Sequence, residues 1–570
     1  MPSERPFYKK KRFLIPVILL LTIIGLIIWY DIDTQVNPPF IDKPGAVDNP
    51  VMETNPGFYT CNGSWLQHST SGLWEMYVTG SPFECGVANG KLTRRLINEQ
   101  EDAFVSRIRE MIPSDSYLKF LKYFIYWFNR DLDEYVPDEY LQEIYGVSLS
   151  ASSHYDFIGS GYHRMLNYHS AHDIGHALQD LAMVGCTSFG AWGSSTTDGS
   201  LIIGRNFDFY MGEKFAKNKI VCFEKPEKGY PFMMVTWASM IGSVSGMNLA
   251  GLTVTINAAK SEIPLSARTP ISILAREILQ YAGNIQEAYD IAKKRQTFVS
   301  ESLLIGSARD QRAAIIEKSP AITALVMSRE DHIICTNHFQ SDEFRDDPLN
   351  RKNIRESASM YRFRRMEQLI SSKKPVDVIK AATILRDQKG WDDRSIGMGN
   401  EKAVNQLIAH HSVIFMPGKR LVWVSEGPWQ SGSYICYDLN EIFNTFGALK
   451  QRAVIEKAVL NIAADSFLGT TDYIKFLQYK IMRDSLQQLM KDYNVGGLNS
   501  SFFDEFTEIN PDYYEGYALA GDWFMMNQKP GTALDYYRLA LRKEIPVLAE
   551  REKIIRNMSK CIVEIKEPIR

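Results

Sequence analysis

Between Leu201 and Val424 the chain is punctuated by short runs that are β-branched or aromatic and bounded by Gly, Asn, Asp or Pro. They are Leu201-Ile202-Ile203, Phe232 to Trp237, Gly251 to Ile256, Ala313 to Ile316, Ile333 to Cys335 and Leu421 to Val424. Such runs form strands, and none is long enough to be a self-sufficient helix. Helical periodicity interrupts them at about 268–295, 357–372 and 376–387. Many strands with interleaved helices predict an α+β protein of stacked sheets with helices outside.

The texture differs on either side of this region. From about 73 to 185 it is mostly helical, as in Leu92 to Ile112 and Leu118 to Leu132. Beyond about 450 the strands stop. Ala453 to Asp465 and Tyr473 to Tyr493 are expected to be amphipathic helices. Asn510 to Tyr514, Gly516 to Gly521 and Ala533 to Leu541 have the small/large alternation of one tetratricopeptide-like helical pair. A single repeat cannot build a solenoid, so a packing cap is the expected role.

The N-terminus sets topology. Lys9-Lys10-Lys11-Arg12 precedes an uncharged stretch, Phe13 to Tyr30, rich in Leu and Ile. As a helix it spans about 27 Å, enough to cross a hydrocarbon core. The basic cluster should stay cytoplasmic and place the rest outside. A cleavable signal peptide is the competing reading, but the run is long for one, and Ile28-Trp29-Tyr30-Asp31 is no small-x-small cleavage site. Five prolines between Pro38 and Pro56 suggest an extended spacer off the membrane. The expected organisation is a cytoplasmic tail (1–12), a signal anchor (13–30), a linker (31–72), a helical pro-segment (73–185), a catalytic domain (186–445) and a helical extension (446–570).

The formal net charge of −3 and the lack of a basic stripe give no reason to expect nucleic acid. The seven cysteines form no CxxC pair, which argues against a zinc ribbon or a thioredoxin-type site. Cys222, Cys335 and Cys436 lie in strand-like runs and should be small buried hydrophobes; Cys61 with Cys85 is the pair considered for a disulfide.

The chemistry concentrates in Val184-Gly185-Cys186-Thr187-Ser188-Phe189-Gly190-Ala191-Trp192-Gly193, a turn at Thr197-Asp198-Gly199, and Leu201-Ile202-Ile203-Gly204-Arg205-Asn206-Phe207-Asp208-Phe209. This reads as a hairpin with Cys186 at the free edge of its first strand and Arg205 and Asp208 returning beside it. A nearby cation favours the nucleophilic thiolate. Alone this is a modest signal, since strand cysteines are usually buried and Arg–Asp pairs usually superficial.

These residues resemble the choloylglycine hydrolase and penicillin V acylase superfamily of N-terminal nucleophile hydrolases. Within it they are most similar to the self-cleaving acyl-coenzyme A:6-aminopenicillanic acid acyltransferase branch. The resemblance continues through Gly246 to Asn257, Ile316 to Pro320, Thr336-Asn337-His338-Phe339, Ser359-Met360-Tyr361-Arg362-Phe363 and Ile408 to Ser412, ending near Gly427. Upstream, Gly80 to Gly86 with Gly90 resembles the start of the family's pro-segment, so about 78–440 is covered.

The resemblance implies a four-layer αββα sandwich and an enzyme acting on carbon–nitrogen bonds. Cys186 would attack the Gly185 carbonyl, and hydrolysis would free a Cys186 α-amine with an ordinary pKa near ~8, suited to act as base. Asp208 would hold that amine and Arg205 would tune the thiolate. Asn257 and Asn337 would donate to the oxyanion, and Arg362 would organise the site, with Arg364 and Arg365 as neighbouring registers. An acyl-enzyme thioester would then pass to water or to an amine. The implied partners are a small N-acyl amide substrate, the membrane and the chain's own cleaved pro-segment. No cofactor or metal is implied, and a homo-oligomer is compatible with the sequence. With 185 residues ahead of the nucleophile, exposure of its amine requires internal cleavage.

His169, His172 and His176 share a helix face, but no zincin-type Glu follows the first of them, and a role in packing beside the cleavage point is preferred to a metal site. His410-His411 reads as a strand edge near the site. Two other functions are carried: a membrane-anchored assembly protein with an inert hydrolase domain, and a phospholipase-B-like esterase.

Overall fold

Adjacent residues of single strands enter different cores, and this alternation builds the architecture. The computed structural model describes residues 7–111, 114–178, 185–209, 212–260, 266–492 and 496–566. Among the described residues, four strands precede Cys186: β1 Met52–Asn55, β2 Phe58–Cys61, β3 Ser64–His68 and β4 Trp74–Gly80. Then come β5 Thr187–Ala191, β6 Ile202–Phe207, β7 Ile220–Pro226, β8 Phe232–Thr236, β9 Ser245–Asn248 and β10 Leu252–Ala258. They are followed by β11 Glu301–Ser307, β12 Arg312–Lys318, β13 Thr323–Met327, β14 His332–Cys335, β15 His411–Met416, β16 Leu421–Ser425 and β17 Tyr434–Asp438. An 11-stranded sheet runs β1-β2-β3-β4-β7-β8-β9-β10-β11-β12-β13, and a 6-stranded sheet runs β14-β5-β6-β15-β16-β17.

The period of two assigns each face. Val221, Phe223, Ala313 and Ile315 of the large sheet meet Ile203, Val413, Phe415, Val422 and Val424 of the small one in an inter-sheet core. Ile220, Cys222, Ala314 and Ile316 point the other way, onto the helices Pro82–Met111, Asp138–Ser148, Gly161–Leu178 and Ile271–Tyr281. Ile202, Ile414 and Trp423 of the small sheet pack on the helices Ser359–Lys373 and Val378–Leu385. The order through the molecule is therefore helices, sheet, sheet, helices. Cys222, Cys335 and Cys436 are buried strand residues, as expected.

Three sequence expectations are corrected. The 31–72 segment is not only a linker, because it holds β1, β2 and β3. With β4, these strands extend the large sheet, and β4 runs parallel to β7. Alternation is masked in β3 because Gln67 is buried: its Nε2 donates to Glu75 Oε2 at 2.6 Å and to the Ala453 carbonyl at 2.8 Å. Ala453 to Asp465 is not a helix beyond a turn at Ala458–Leu460. It runs along the edge strand β17, where Lys457 N donates to Cys436 O and Tyr434 bridges to Ile462, covering an edge that would otherwise lack partners. Cys61 and Cys85 are free thiols, each directed at a main-chain carbonyl, of Asn49 and Gly80 respectively.

Gly86 and Gly90 have a steric reason. A Cβ at Gly86 would lie 2.0 Å from Glu143 O, and one at Gly90 2.8 Å from Val147 O. The helices Pro82–Met111 and Asp138–Ser148 thus cross with their backbones in contact, which side chains would forbid.

At the N-terminus the helix Phe7–Asp33 contains an exposed stretch, Leu14–Asp33, with mean hydropathy 2.4, long and apolar enough to cross a bilayer. Its end packs on the Asp115–Phe128 helix: the Tyr30 hydroxyl donates to Tyr123 O at 2.7 Å, and Asp33 pairs with Arg130 at 3.6 Å. At the other end, the helices Thr471–Lys491, Ser500–Glu508, Tyr514–Met526, Pro530–Ala540 and Leu548–Lys566 form a separate apolar cluster.

Candidate active site

β5 is positioned by its neighbours: Ser188 lies opposite Arg205 on β6 and opposite Cys335 on β14. The strand carrying Cys186 is therefore interior to the small sheet rather than a free edge, because β14 pairs along its other side. Cys186 stands just before β5 and is only 1% exposed. The Gly185 N–H donates to the Asp208 carbonyl at 3.0 Å.

Arg205 is fully buried and threads between the sheets. It donates to Val244 O at 3.0 Å, to Ile256 O at 2.6 Å and to Ser245 Oγ, with Nη2 3.8 Å from Cys186 Sγ. Its guanidinium stacks 4.2 Å over the Phe207 ring. Ser245 Oγ is 2.8 Å from His411 Nε2, and His411 Nδ1 is 2.9 Å from His410 Nδ1, so the paired histidines form a buried polar chain behind Arg205. Burial keeps both imidazoles neutral, holding their pKa well below the ordinary value.

Burial also dominates the thiol. Desolvation pushes Cys186 up to about 11, although Arg205 pulls the other way. The sulfur is therefore held as a thiol at neutral pH.

Arg362 is the arginine of its helix that reaches the site. It donates to the Gly185 carbonyl, to Cys186 O and Thr187 Oγ1 at 3.2 Å each, and to Asn337 Oδ1 at 2.8 Å. Arg365 instead binds Asp387 at 2.9 Å, and Arg364 is exposed. Asn257 and Asn337 flank the site, but their amide donors face main-chain oxygens. Asn257 Nδ2 donates to Cys335 O at 3.1 Å, and Asn337 Nδ2 to Ala258 O at 2.9 Å. The Gly185 carbonyl is instead met by Arg362 and by Gln406, whose Nε2 donates to it at 2.7 Å. Gln406 was not singled out from the sequence. It lies in a loop with neither strand nor helix period, two residues before the Ile408 to Ser412 motif.

Asp208 is fully buried, and both its carboxyl oxygens lack a hydrogen-bond partner among the described residues. Desolvation raises it to about 7 against the opposing pull of Arg362 and Arg205. A carboxyl raised this way binds a proton on folding that the unfolded chain has released. Its contribution is thus full below the ordinary carboxylate pKa of about 3.9 and is lost as pH rises through 7. Asp208→Asn, made in uncleavable Cys186→Ala protein, should raise the thermal midpoint at pH 8 and leave it nearly unchanged at pH 4. The difference in slope corresponds to at most about 1.4 kcal/mol per pH unit.

His169 spends both nitrogens on protein: Nδ1 faces Met165 O at 2.7 Å, and Nε2 accepts from Ile241 N at 3.0 Å. The side chains of His172 and His176, and residues 210–211 and 261–265, lie outside the described residues.

A buried cysteine heading an interior strand, between an arginine behind its sulfur and another on the preceding carbonyl, is an arrangement suited to acyl transfer. Residues 194–427 match the family described as acyl-coenzyme A:6-aminopenicillanic acid acyl-transferase. An uncharacterised protein of Archaeoglobus fulgidus is 26% identical over 269 residues, 44% of each chain. Protein dcd1B of Dictyostelium discoideum is 23% identical over 293 residues, 47% of this chain and 56% of that one. The chain spans about half the length of the curated relatives it matches. Among solved structures, a Caenorhabditis elegans N-acylethanolamine-hydrolyzing acid amidase ortholog is similar at 17% identity and a TM-score of 0.29, covering 41% of this chain and 93% of that one.

Proposed function

We propose that this protein is a membrane-anchored, self-cleaving cysteine amidase that hydrolyses N-acyl amides through a thioester. The observation that carries the reading is the placement of three groups around one peptide bond. Arg362 holds the Gly185 carbonyl, Cys186 supplies the sulfur, and the buried carboxyl of Asp208 has no hydrogen-bond partner among the described residues. An empty carboxylate beside a future α-amine is a costly arrangement unless a cation is to arrive there.

In the maturation step the Cys186 thiol adds to the Gly185 carbonyl carbon, the C–N bond breaks, and the thiol proton ends on the departing nitrogen. Water then hydrolyses the resulting thioester to a Gly185 carboxylate and the free thiol. The new α-amine, held by Asp208, takes the thiol proton when the sulfur attacks an amide substrate and passes it to the leaving amine. Hydrolysis of the acyl-enzyme completes the cycle, and the Asn257 and Asn337 amides are proposed to turn towards the oxyanion once the pro-segment end has withdrawn. N-terminal sequencing tests the reading: a mature chain beginning Cys-Thr-Ser-Phe supports it, and an active protein with an unbroken 185–186 bond defeats it.

Leu14–Asp33 would be the anchor, and the basic residues ahead of it support an extracytoplasmic enzyme. Cleavage would leave fragments 1–185 and 186–570 sharing one sheet, since β4 pairs with β7 along seven residues. The 186–570 fragment should accordingly sediment with membranes after washing at neutral pH; its release to the supernatant would refute the shared-sheet assembly.

A further inference from the structure

We propose that Gln406 is a catalytic residue of the self-cleavage step, donating its side-chain N–H to the Gly185 oxygen as that oxygen becomes an oxyanion. The proposal rests on the self-cleavage reading and adds to it a residue and a task.

The geometry is specific. Gln406 is 2% exposed, and its Nε2 lies 2.7 Å from the oxygen of the bond to be cut. Its loop is held from both sides: Asn405 N donates to Asp387 O at 2.8 Å, and Leu407 N donates to Asn405 Oδ1 at 3.0 Å. Leu407 adopts φ +55°, a left-handed conformation that a leucine keeps only when its surroundings impose it. The amide also lies against the Gly185 α-carbon, where an added Cβ would stand 2.5 Å from Nε2. Glycine at the cleavage point thus makes room for this donor.

The donors divide by stage. When Gly185 departs, Arg362 keeps its bonds to Asn337, Cys186 and Thr187, so it serves both the precursor and the mature site. The Nε2 donor of Gln406 is described on Gly185 O, the oxygen that leaves with the pro-segment. Addition of the Cys186 thiol to the Gly185 carbon moves the C=O electron pair onto this oxygen, and two preorganised donors then stabilise the charge. Reformation of C=O expels the Cys186 nitrogen, which takes up the thiol proton.

The test is the processing rate of the full-length chain translated into membranes, followed by gel from the uncut 65.1 kDa form. Gln406→Met and Gln406→Glu both remove the donor at pH 8 while keeping the length, and each should slow cleavage about 100-fold, the cost of one oxyanion donor. For Gln406→Glu the rate should recover as pH falls and the acid gains an O–H to donate, a response that a packing role would not produce. Folding is read separately, as the thermal midpoint of each substitution in Cys186→Ala protein. Native-like cleavage rates in both variants at pH 8 would overturn the proposal, as would slow cleavage accompanied by loss of the fold in both. If the unsubstituted chain itself is never cut, the self-cleavage reading falls instead.

Discussion

Cys186→Ala protein should migrate as one 65.1 kDa chain, whereas unsubstituted protein yields the fragments 1–185 and 186–570. The effect is all-or-none because one sulfur serves both steps. Without it no atom adds to the Gly185 carbonyl, and without cleavage no α-amine exists to act as base. Amide turnover should fall to background with it. Cys186→Ser is the informative intermediate: its hydroxyl is a much weaker nucleophile, so slow or absent cutting with a native fold is expected. The thermal midpoint of Cys186→Ala should stay near the native value, since an alanine replaces a small thiol whose hydrogen bond from Arg205 is long, at 3.8 Å. Two fragments from Cys186→Ala would place the cleavage outside this chemistry.

The second large effect is on stability and lies across a contact between residues before and after Cys186. Arg276 is buried between two buried carboxyls. Its Nη2 lies 3.3 Å from Glu143 on the helix Asp138–Ser148, and it bonds to Glu224 on β7. Burial raises both acids, while Arg276 lowers them. Arg276→Met keeps the bulk but leaves two carboxyls without their cation, a change expected to cost about 4 kcal/mol at neutral pH. With the cation gone, the folded-state values of both acids rise further. The folded chain then holds protons that the unfolded chain releases, and stability is lost as pH rises. The deficit, read as a thermal midpoint against unsubstituted protein, should therefore be larger at pH 7.5 than at pH 5. Adding Glu143→Gln and Glu224→Gln should recover much of it. A pH-independent deficit would mean that Arg276 acts by packing alone. In processed protein, Arg276→Met should also loosen the two fragments from each other.

Much of this molecule follows from local chemistry. Alternating apolar residues in Val221–Phe223, Ala313–Ile316 and Val422–Val424 can only serve a two-faced sheet, and the pattern is readable because each run contributes to two cores. The turn at Thr197-Asp198-Gly199 forces Arg205 back beside the start of β5, so the cysteine–arginine pair is legible from spacing. The apolar run behind Lys9 to Arg12 is long and apolar enough to cross a bilayer, and as a helix it satisfies its backbone polar groups within itself.

What tertiary structure alone decides is the pairing of groups distant in sequence, for which no local period exists. Gln406 meets Gly185 across 221 positions, and Glu143 meets Arg276 across 133. The strands β1 to β4 join a sheet whose other members begin at Ile220, and Ala453 lies along that sheet's polar Gln67. A buried polar residue is tolerable only because its partner arrives from elsewhere in the chain, and sequence carries no mark of which partner that will be.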